Sequence, residues 1–295
     1  MSEKRNKLSV ALCTYNGELY LKRQLDSILN QTYPIDEIII VDDCSSDSTR
    51  SILNDYKEKF SSIKLFFNEE NLGPNGAFKY AISLASNEFI ALSDQDDIWF
   101  ENKVELQMTG ILKNGHHLEK KPILSFHDLC LIDENDRITD NSFWKVHKFM
   151  PESFTFKKLL ISNIVTGCTC VINKSMRDEL VKCDMQNIIM HDYLIALIGY
   201  GFGTVIYISE PLMYYRSHSS SVTEKEKITF KNRIDSFISR VNNGKYLMPH
   251  ILQIKQFKDL YESKLNLDKL NMINYFLKFE KKNVFNRMIY RWLIN

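Results

Sequence analysis

Between Leu8 and Leu92 the chain switches repeatedly between strand-like and helix-like spacing of its apolar residues, and this restricts the fold more than any other feature. The run Leu8 to Cys13 predicts a strand that ends in the turn pair Asn16-Gly17. Leu21, Leu25, Ile28 and Leu29 then recur at helical spacing, with Pro34 as a stop signal. A strand over Glu37 to Val41 follows, then a helix after Ser46 with Ile52, Leu53 and Tyr56 on its inner face. A third strand at Ile63 to Phe67, a helix marked by Ala77, Phe78, Ala81, Ile82 and Ala85, and a fourth strand at Phe89 to Leu92 complete the series. Strand, helix, strand in this rhythm predicts right-handed crossovers and a parallel α/β sheet covered on both faces.

Such sheets bind ligands outside the carboxyl ends of their strands. The residues expected there are Thr14-Tyr15-Asn16, Asp42-Asp43 and Asp94-Gln95-Asp96-Asp97, three polar or acidic clusters converging on one edge. No GxGxxG follows the first strand and no GxxxxGK[ST] occurs, so neither a dinucleotide fold nor a P-loop is supported. Further on, the pattern predicts a helix near Lys103 to Leu112, strands at Ile123 to Phe126 and Val165 to Ile172, and a helix from His191 to Ile198. A strand at Thr204 to Ile208 precedes Pro211. Ser219, Ser220 and Ser221 before a charged stretch suggest a division into a main domain, 1–222, and a helical extension, 223–295.

The net charge of +1 argues against a nucleic-acid partner, but it hides an asymmetry. From Lys225 on, 15 basic residues against 6 acidic give +9, and the remainder, 23 against 31, gives −8. The basic tail interleaves its lysines and arginines with aromatics from Phe230 to Trp292, a pattern suited to lying on an anionic membrane, to capping the main domain, or to forming a homo-oligomer. The six cysteines form no CxxC pair and no zinc-finger spacing, which predicts reduced, mostly buried thiols. The polar MSEKRNKLSV start lacks a signal-peptide core, so a cytoplasmic protein, peripheral at the inner face of the membrane, is expected. The charge-free window Tyr193 to Ser209 carries three glycines and is too short to span a bilayer, so a buried helix leading into a buried strand is expected instead.

Asp94 and Asp96, two apart at the end of an extended segment, would point to the same side and offer oxygens to one hard cation, magnesium or manganese. A solvated acidic loop with Asp97 capping the next helix is the plain alternative. Asp43 suits a hydrogen bond from a base N–H, or a turn before Ser45-Ser46-Asp47.

In order, CTYNG (13–17), LDSILNQTYP (25–34), EIIIVDDCSSDST (37–49), NLGPN (71–75) and SDQDDIW (93–99) resemble the family 2 inverting glycosyltransferases over roughly residues 8–220. The resemblance implies the Rossmann-like α/β fold of the GT-A nucleotide-diphosphosugar transferases. The DQDDIW form with Lys103 after it is most similar to bacterial rhamnosyltransferases, which implies dTDP-rhamnose as donor, or another thymidine or uridine diphosphosugar, and a saccharide or lipid-linked saccharide acceptor in surface polysaccharide synthesis. Carried over by motif, Tyr15 and Asp43 hold the nucleobase with Thr14 beside them. Asp94 faces the ribose and the metal, and Asp96 is the direct metal ligand. Asp192, after His191, occupies the position of the catalytic base. Arg216 and His218 in Tyr215-Arg216-Ser217-His218 touch the diphosphate, His218 also reaching the metal. Two positions depart from the family pattern: His191 replaces an acidic neighbour of the base, and Phe78 stands where many relatives carry arginine, so Arg216, His218 or Lys79 would supply that charge. Gly167-Cys168-Thr169 falls either in the acceptor pocket or in a buried strand. A non-catalytic, nucleotide-sugar-binding partner of an active transferase is the competing function.

Overall fold

The computed structural model describes residues 5–113, 120–217 and 246–294. Its first half is the predicted parallel array: β1 (Leu8–Thr14), α1 (Leu21–Leu29), β2 (Glu37–Asp42), α2 (Thr49–Lys59), β3 (Ile63–Phe67), α3 (Gly73–Leu84) and β4 (Phe89–Ser93). β1 pairs in parallel with both β2 and β4, and β2 with β3. The side chains alternate as a pleated strand requires. Leu8, Val10 and Leu12 of β1 and Ile38 and Ile40 of β2 enter the apolar cluster on one face, with Leu21, Leu25 and Ile28 of α1. Ala11, Ile39 and Val41 enter the opposite cluster with Ala77, Phe78, Ala81 and Ile82 of α3. Each fully buried leucine or isoleucine contributes about 2 kcal/mol of transfer free energy.

The second half adds β5 (Ile98–Trp99), α4 (Lys103–Lys113), β6 (Ile123–Ile132), β7 (Ile138–Asp140), α5 (Phe143–His147), α6 (Phe156–Leu159), β8 (Val171–Asn173), α7 (Lys174–Leu180), α8 (His191–Phe202) and β9 (Thr204–Arg216). Among the described residues the sheet runs β3-β2-β1-β4-β8-β6-β9-β5, with β7 beside β6. β8 is antiparallel to both β4 and β6, so the regular parallel pattern stops at β4.

Three expectations change here. The strand expected over Val165 to Ile172 is mostly a turn: a 3-10 segment covers Gly167–Thr169 and the strand holds only Val171–Asn173. The strand expected to stop before Pro211 continues to Arg216, because Pro211 sits where the β6–β9 register shifts and no regular ladder bond is demanded of it. The first part of that strand is only partly buried, whereas α8 is buried from Tyr193 to Gly199.

Three helices close the chain: α9 (Met248–Tyr261), α10 (Leu267–Leu277) and α11 (Val284–Ile294). Their residues Ile251, Ile254, Phe257, Ile273, Phe276, Tyr290 and Ile294 belong to the same apolar cluster as Leu194 to Ile198 of α8. The proposed boundary at 222 and 223 lies outside the described residues. All six cysteines are free thiols, four of them buried. No described helix is long and apolar enough to cross a membrane.

Candidate active site

The loops after β1, β2 and β4 meet the start of α8 and the end of β9 around a cavity of about 360 Å³. Thr14, Tyr15, Asp43, Asp94, Asp96, Asp192 and Arg216 all line it, so residues about two hundred positions apart surround one cavity. His218 lies outside the described residues.

On the side formed by the ends of β1 and β2, Asp42 is the buried anchor. Its carboxylate accepts from Thr14 Oγ1 at 2.9 Å, the Ser45 N–H at 3.1 Å and Arg50 Nε at 2.7 Å. The Thr14 hydroxyl is therefore committed inward. Asp43 turns the other way and lines the cavity, its Oδ1 accepting from Asn68 Nδ2 at 2.7 Å and the Leu72 N–H at 2.8 Å. Those bonds tie the entry of α3 to β2 and leave the second carboxylate oxygen for a ligand. Tyr15 is half exposed, and Gln95 holds its backbone from both sides: the Tyr15 N–H donates to Gln95 Oε1 at 2.8 Å, and Gln95 Nε2 donates to the Tyr15 carbonyl at 3.0 Å. Gly17 leaves room for that amide, since a Cβ there would stand 2.2 Å from Gln95 Oε1. Sequence reasoning missed this clamp, although Gln95 lies inside the acidic motif.

The segment from Asp94 to Asp97 is a bend rather than the expected extended run. The bend sends Asp94 and Asp96 to the cavity and Asp97 inward, where it is fully buried and caps no helix. The backbone N–H of Arg216 donates to Asp97 Oδ1 at 3.2 Å, and Arg216 Nε donates to the Asp96 carbonyl at 2.9 Å. The same guanidinium donates to the Asp133 carbonyl at 3.1 Å, pairs with Asp136 at 2.5 Å, and lies 4.4 Å from the Tyr20 ring centroid. Arg216 is thus a buried clamp on the acidic loop, with Nη2 left without a hydrogen-bond partner among the described residues. Lys79, the other cation considered at the missing arginine, donates to the Cys183 carbonyl at 2.7 Å.

Burial, then the charges of Asp96 and Asp192, push Asp94 up to about 7. An anionic cavity of this kind suits a cation. Asp94 and Asp96 offer the oxygen donors that magnesium or manganese prefers. Asp94, Asp97 and Cys168 also bring donor atoms within 4.8 Å of one another. Burial, with Asp97 and Asp94 beside it, drives the Cys168 thiol well above its ordinary value, so it is a protonated soft group and fits no hard-cation site.

Asp192 opens α8, a first-turn position that the helix dipole favours. Asn163 Nδ2 donates to its Oδ1 at 3.0 Å and the Gly167 N–H to its Oδ2 at 3.1 Å. Both oxygens are oriented, and each keeps a lone pair for a substrate proton. Burial raises its pKa to about 7, partly offset by the bonds from Gly167, Tyr193 and Asn163. The polar Ser162-Asn163 pair within an apolar run was the one sequence signal for this support. The two departures from the family pattern pack on each other: the Phe78 and His191 rings stack at 4.2 Å. Burial lowers His191 to about 3, so it adds no charge beside Asp192. A Cβ at Gly167 would come within 2.7 Å of His191 Nε2, so only glycine fits that turn without displacement.

The Glycosyl transferase family 2 model matches residues 9–183. The chain belongs to glycosyltransferase family 2. A UDP-Glc:alpha-D-GlcNAc-diphosphoundecaprenol beta-1,3-glucosyltransferase of Escherichia coli is 37% identical over 166 residues, 56% of this chain and 59% of that protein. A Bacillus subtilis glycosyltransferase named for teichuronic acid biosynthesis is 31% identical over 222 residues, 74% of this chain and 82% of the relative. Among solved structures, residues 1–349 of TarS from S. aureus in complex with UDP-GlcNAc superpose with a TM-score of 0.56 at 20% identity, covering 88% of this chain and 81% of that one. A mannosyltransferase from Pyrobaculum calidifontis with GDP-Man and Mn2+ gives 0.55 at 16%, covering 99% and 84%. At such low identity these likenesses speak to the fold, which is GT-A with a helical C-terminal region. As a family 2 member the protein is a glycosyltransferase.

Proposed function

We propose that this enzyme moves a sugar, with inversion, from a nucleoside diphosphate donor to a hydroxyl of a saccharide or lipid-linked saccharide in surface polysaccharide synthesis. The observation that carries the reading is the shared cavity, with Tyr15, Asp43, Asp94 and Asp96 on one wall and Asp192 on the other. A sugar hydroxyl is a poor nucleophile, so Asp192 would accept its proton as the bond to the anomeric carbon forms and the bond to the diphosphate breaks. Attack opposite the leaving group inverts the centre. Tyr15 and Asp43 would hold the base, with Thr14 positioned behind them. Asp94 and Asp96, with His218 as a further candidate, would hold a divalent cation, which when bound supplies charge stabilisation to the departing diphosphate. Arg216 would fix the acidic loop and add its positive charge beside the same oxygens.

UDP-Glc, the donor in the name of the 37% identical Escherichia coli relative, supports a pyrimidine nucleoside diphosphosugar. The DQDDIW motif with Lys103 favours dTDP-rhamnose as a second reading. The same reading has residues 1–222 as the transferase unit, 223–295 as its extension, and the protein working at the inner membrane face. Transfer from UDP-glucose, UDP-GlcNAc and dTDP-rhamnose, with and without Mn2+, tests the proposal alongside Asp192→Asn. Turnover lost in the variant with UDP affinity retained supports it. Unchanged turnover overturns the base, and binding of guanosine diphosphosugars alone overturns the donor class.

A further inference from the structure

The C-terminal helix α11 is apolar on two opposite sides. Arg287, Tyr290 and Ile294 are buried. The Arg287 guanidinium fixes the helix by donating to the carbonyls of Phe279 at 2.9 Å, Glu280 at 2.7 Å and Tyr246 at 3.2 Å. Turned away from this anchored side are Phe285, Ile289, Trp292 and Leu293, exposed by 68%, 40%, 79% and 64%. At helical geometry these four fall within an arc of about 100°, opposite the buried one. A soluble helix normally presents charge there.

The surroundings say what would cover this arc. Lys278, Lys281 and Lys282, just before α11, are exposed and form no ion pair among the described residues. The sequence from Lys225 on carries +9. A second copy seated on the same face would bring two such lysine groups together, whereas an anionic surface would be attracted to them. The helix also packs into the same apolar cluster as the residue that follows Asp192. Tyr290 and Ile294 share an apolar cluster with Tyr193, the residue after Asp192, and Tyr193 packs edge-on to His250 of α9 with ring centroids 6.0 Å apart.

We propose that the Phe285-Ile289-Trp292-Leu293 face docks on an anionic lipid bilayer, with its side chains in the interfacial layer and Lys278, Lys281 and Lys282 over the headgroups. The proposal deepens the transferase reading, because a lipid-linked acceptor would then be held beside the wall that carries Asp192. Docking itself needs no turnover, so the two can fail separately.

The test uses the full chain and vesicles of phosphatidylcholine with or without phosphatidylglycerol. Trp99 and Trp144 are 3% and 5% exposed, so among the three tryptophans Trp292 dominates any response to lipid. We expect co-sedimentation and a blue shift of tryptophan emission with phosphatidylglycerol vesicles only. Ile289→Ser with Trp292→Ser should remove co-sedimentation, and Lys278→Glu with Lys281→Glu and Lys282→Glu should weaken it by roughly tenfold or more. Each change is at an exposed position, and an unaltered melting temperature checks the fold. No partition into phosphatidylglycerol vesicles, partition unaffected by the apolar pair, or a concentration-dependent dimer abolished by that pair would overturn the proposal. Loss of transfer in Asp192→Asn with vesicle binding intact would leave docking standing. Vesicle binding by a protein that transfers no sugar would sink the transferase reading alone.

Discussion

The two walls of the cavity are built differently. On the sheet-edge wall, the loops after β1, β2 and β4 are braced by carboxylate and amide bonds among neighbouring strand ends: Thr14 and Arg50 to Asp42, Asn68 to Asp43, and Gln95 to Tyr15. On the opposite wall, Asp192 depends on Asn163 and on the backbone of Gly167, both from an irregular segment, and on an imidazole stacked against α3. Binding positions thus sit on a regular sheet edge. The position suited to proton transfer sits on a packed turn, where burial rather than neighbouring charge sets its protonation.

The largest expected effect separates the walls by pH. As the proposed base, Asp192 would act only when ionised, so transfer should fall about tenfold per unit below pH 7, while metal-free UDP binding, which needs no ionised Asp94, should change less. Asn163→Ala removes a bond that favours the ionised form, so the break in the rate profile should move to higher pH; an unmoved break would mean that another group sets it. The linkage to stability runs in the opposite sense. The folded state holds this proton more tightly than the unfolded chain, so the contribution of Asp192 is fully present below the ordinary value of 3.8 and is lost as pH rises to about 7.

Next in size is Gly167→Ala. The new methyl meets His191 Nε2, and the shift needed should cost about 1–3 kcal/mol of stability. Because the same turn orients Asp192, turnover should drop with little change in UDP affinity, as calorimetry and initial rates would show. Equal losses in both would break the division between the walls. The smallest effect is Gln95→Ala, which deletes two bonds to the Tyr15 backbone and should weaken UDP binding by roughly five- to thirtyfold at about 0.5–1 kcal/mol each. Turnover at saturating donor should be nearly unchanged, and a large fall in it would show that the clamp reaches across the cavity.

The sheet-edge wall was readable in advance because each of its residues directly follows a strand whose periodicity is unmistakable. Asp42 and Asp43 show the limit of that reading: adjacent and chemically identical, one is sealed inside by Thr14, Ser45 and Arg50 and the other lines the cavity. Arg216 shows it again. Its motif suggested a diphosphate contact, but burial and the carbonyls of Asp96 and Asp133 make it first a clamp on the acidic loop. The path of β9 through Pro211 was hidden because a proline signals a stop unless a register shift in the partner strand accommodates it.

The sequence by itself determined the alternating strands and helices, the three polar clusters at strand ends, and the family to which their order belongs, since each rests on local spacing along the chain. Only the tertiary structure decided which carboxylates face the cavity, that Phe78 and His191 complete each other, and that α11 keeps an apolar face uncovered. Those outcomes depend on which groups distant parts of the chain bring together, and on the desolvation and hydrogen bonds that follow from contact.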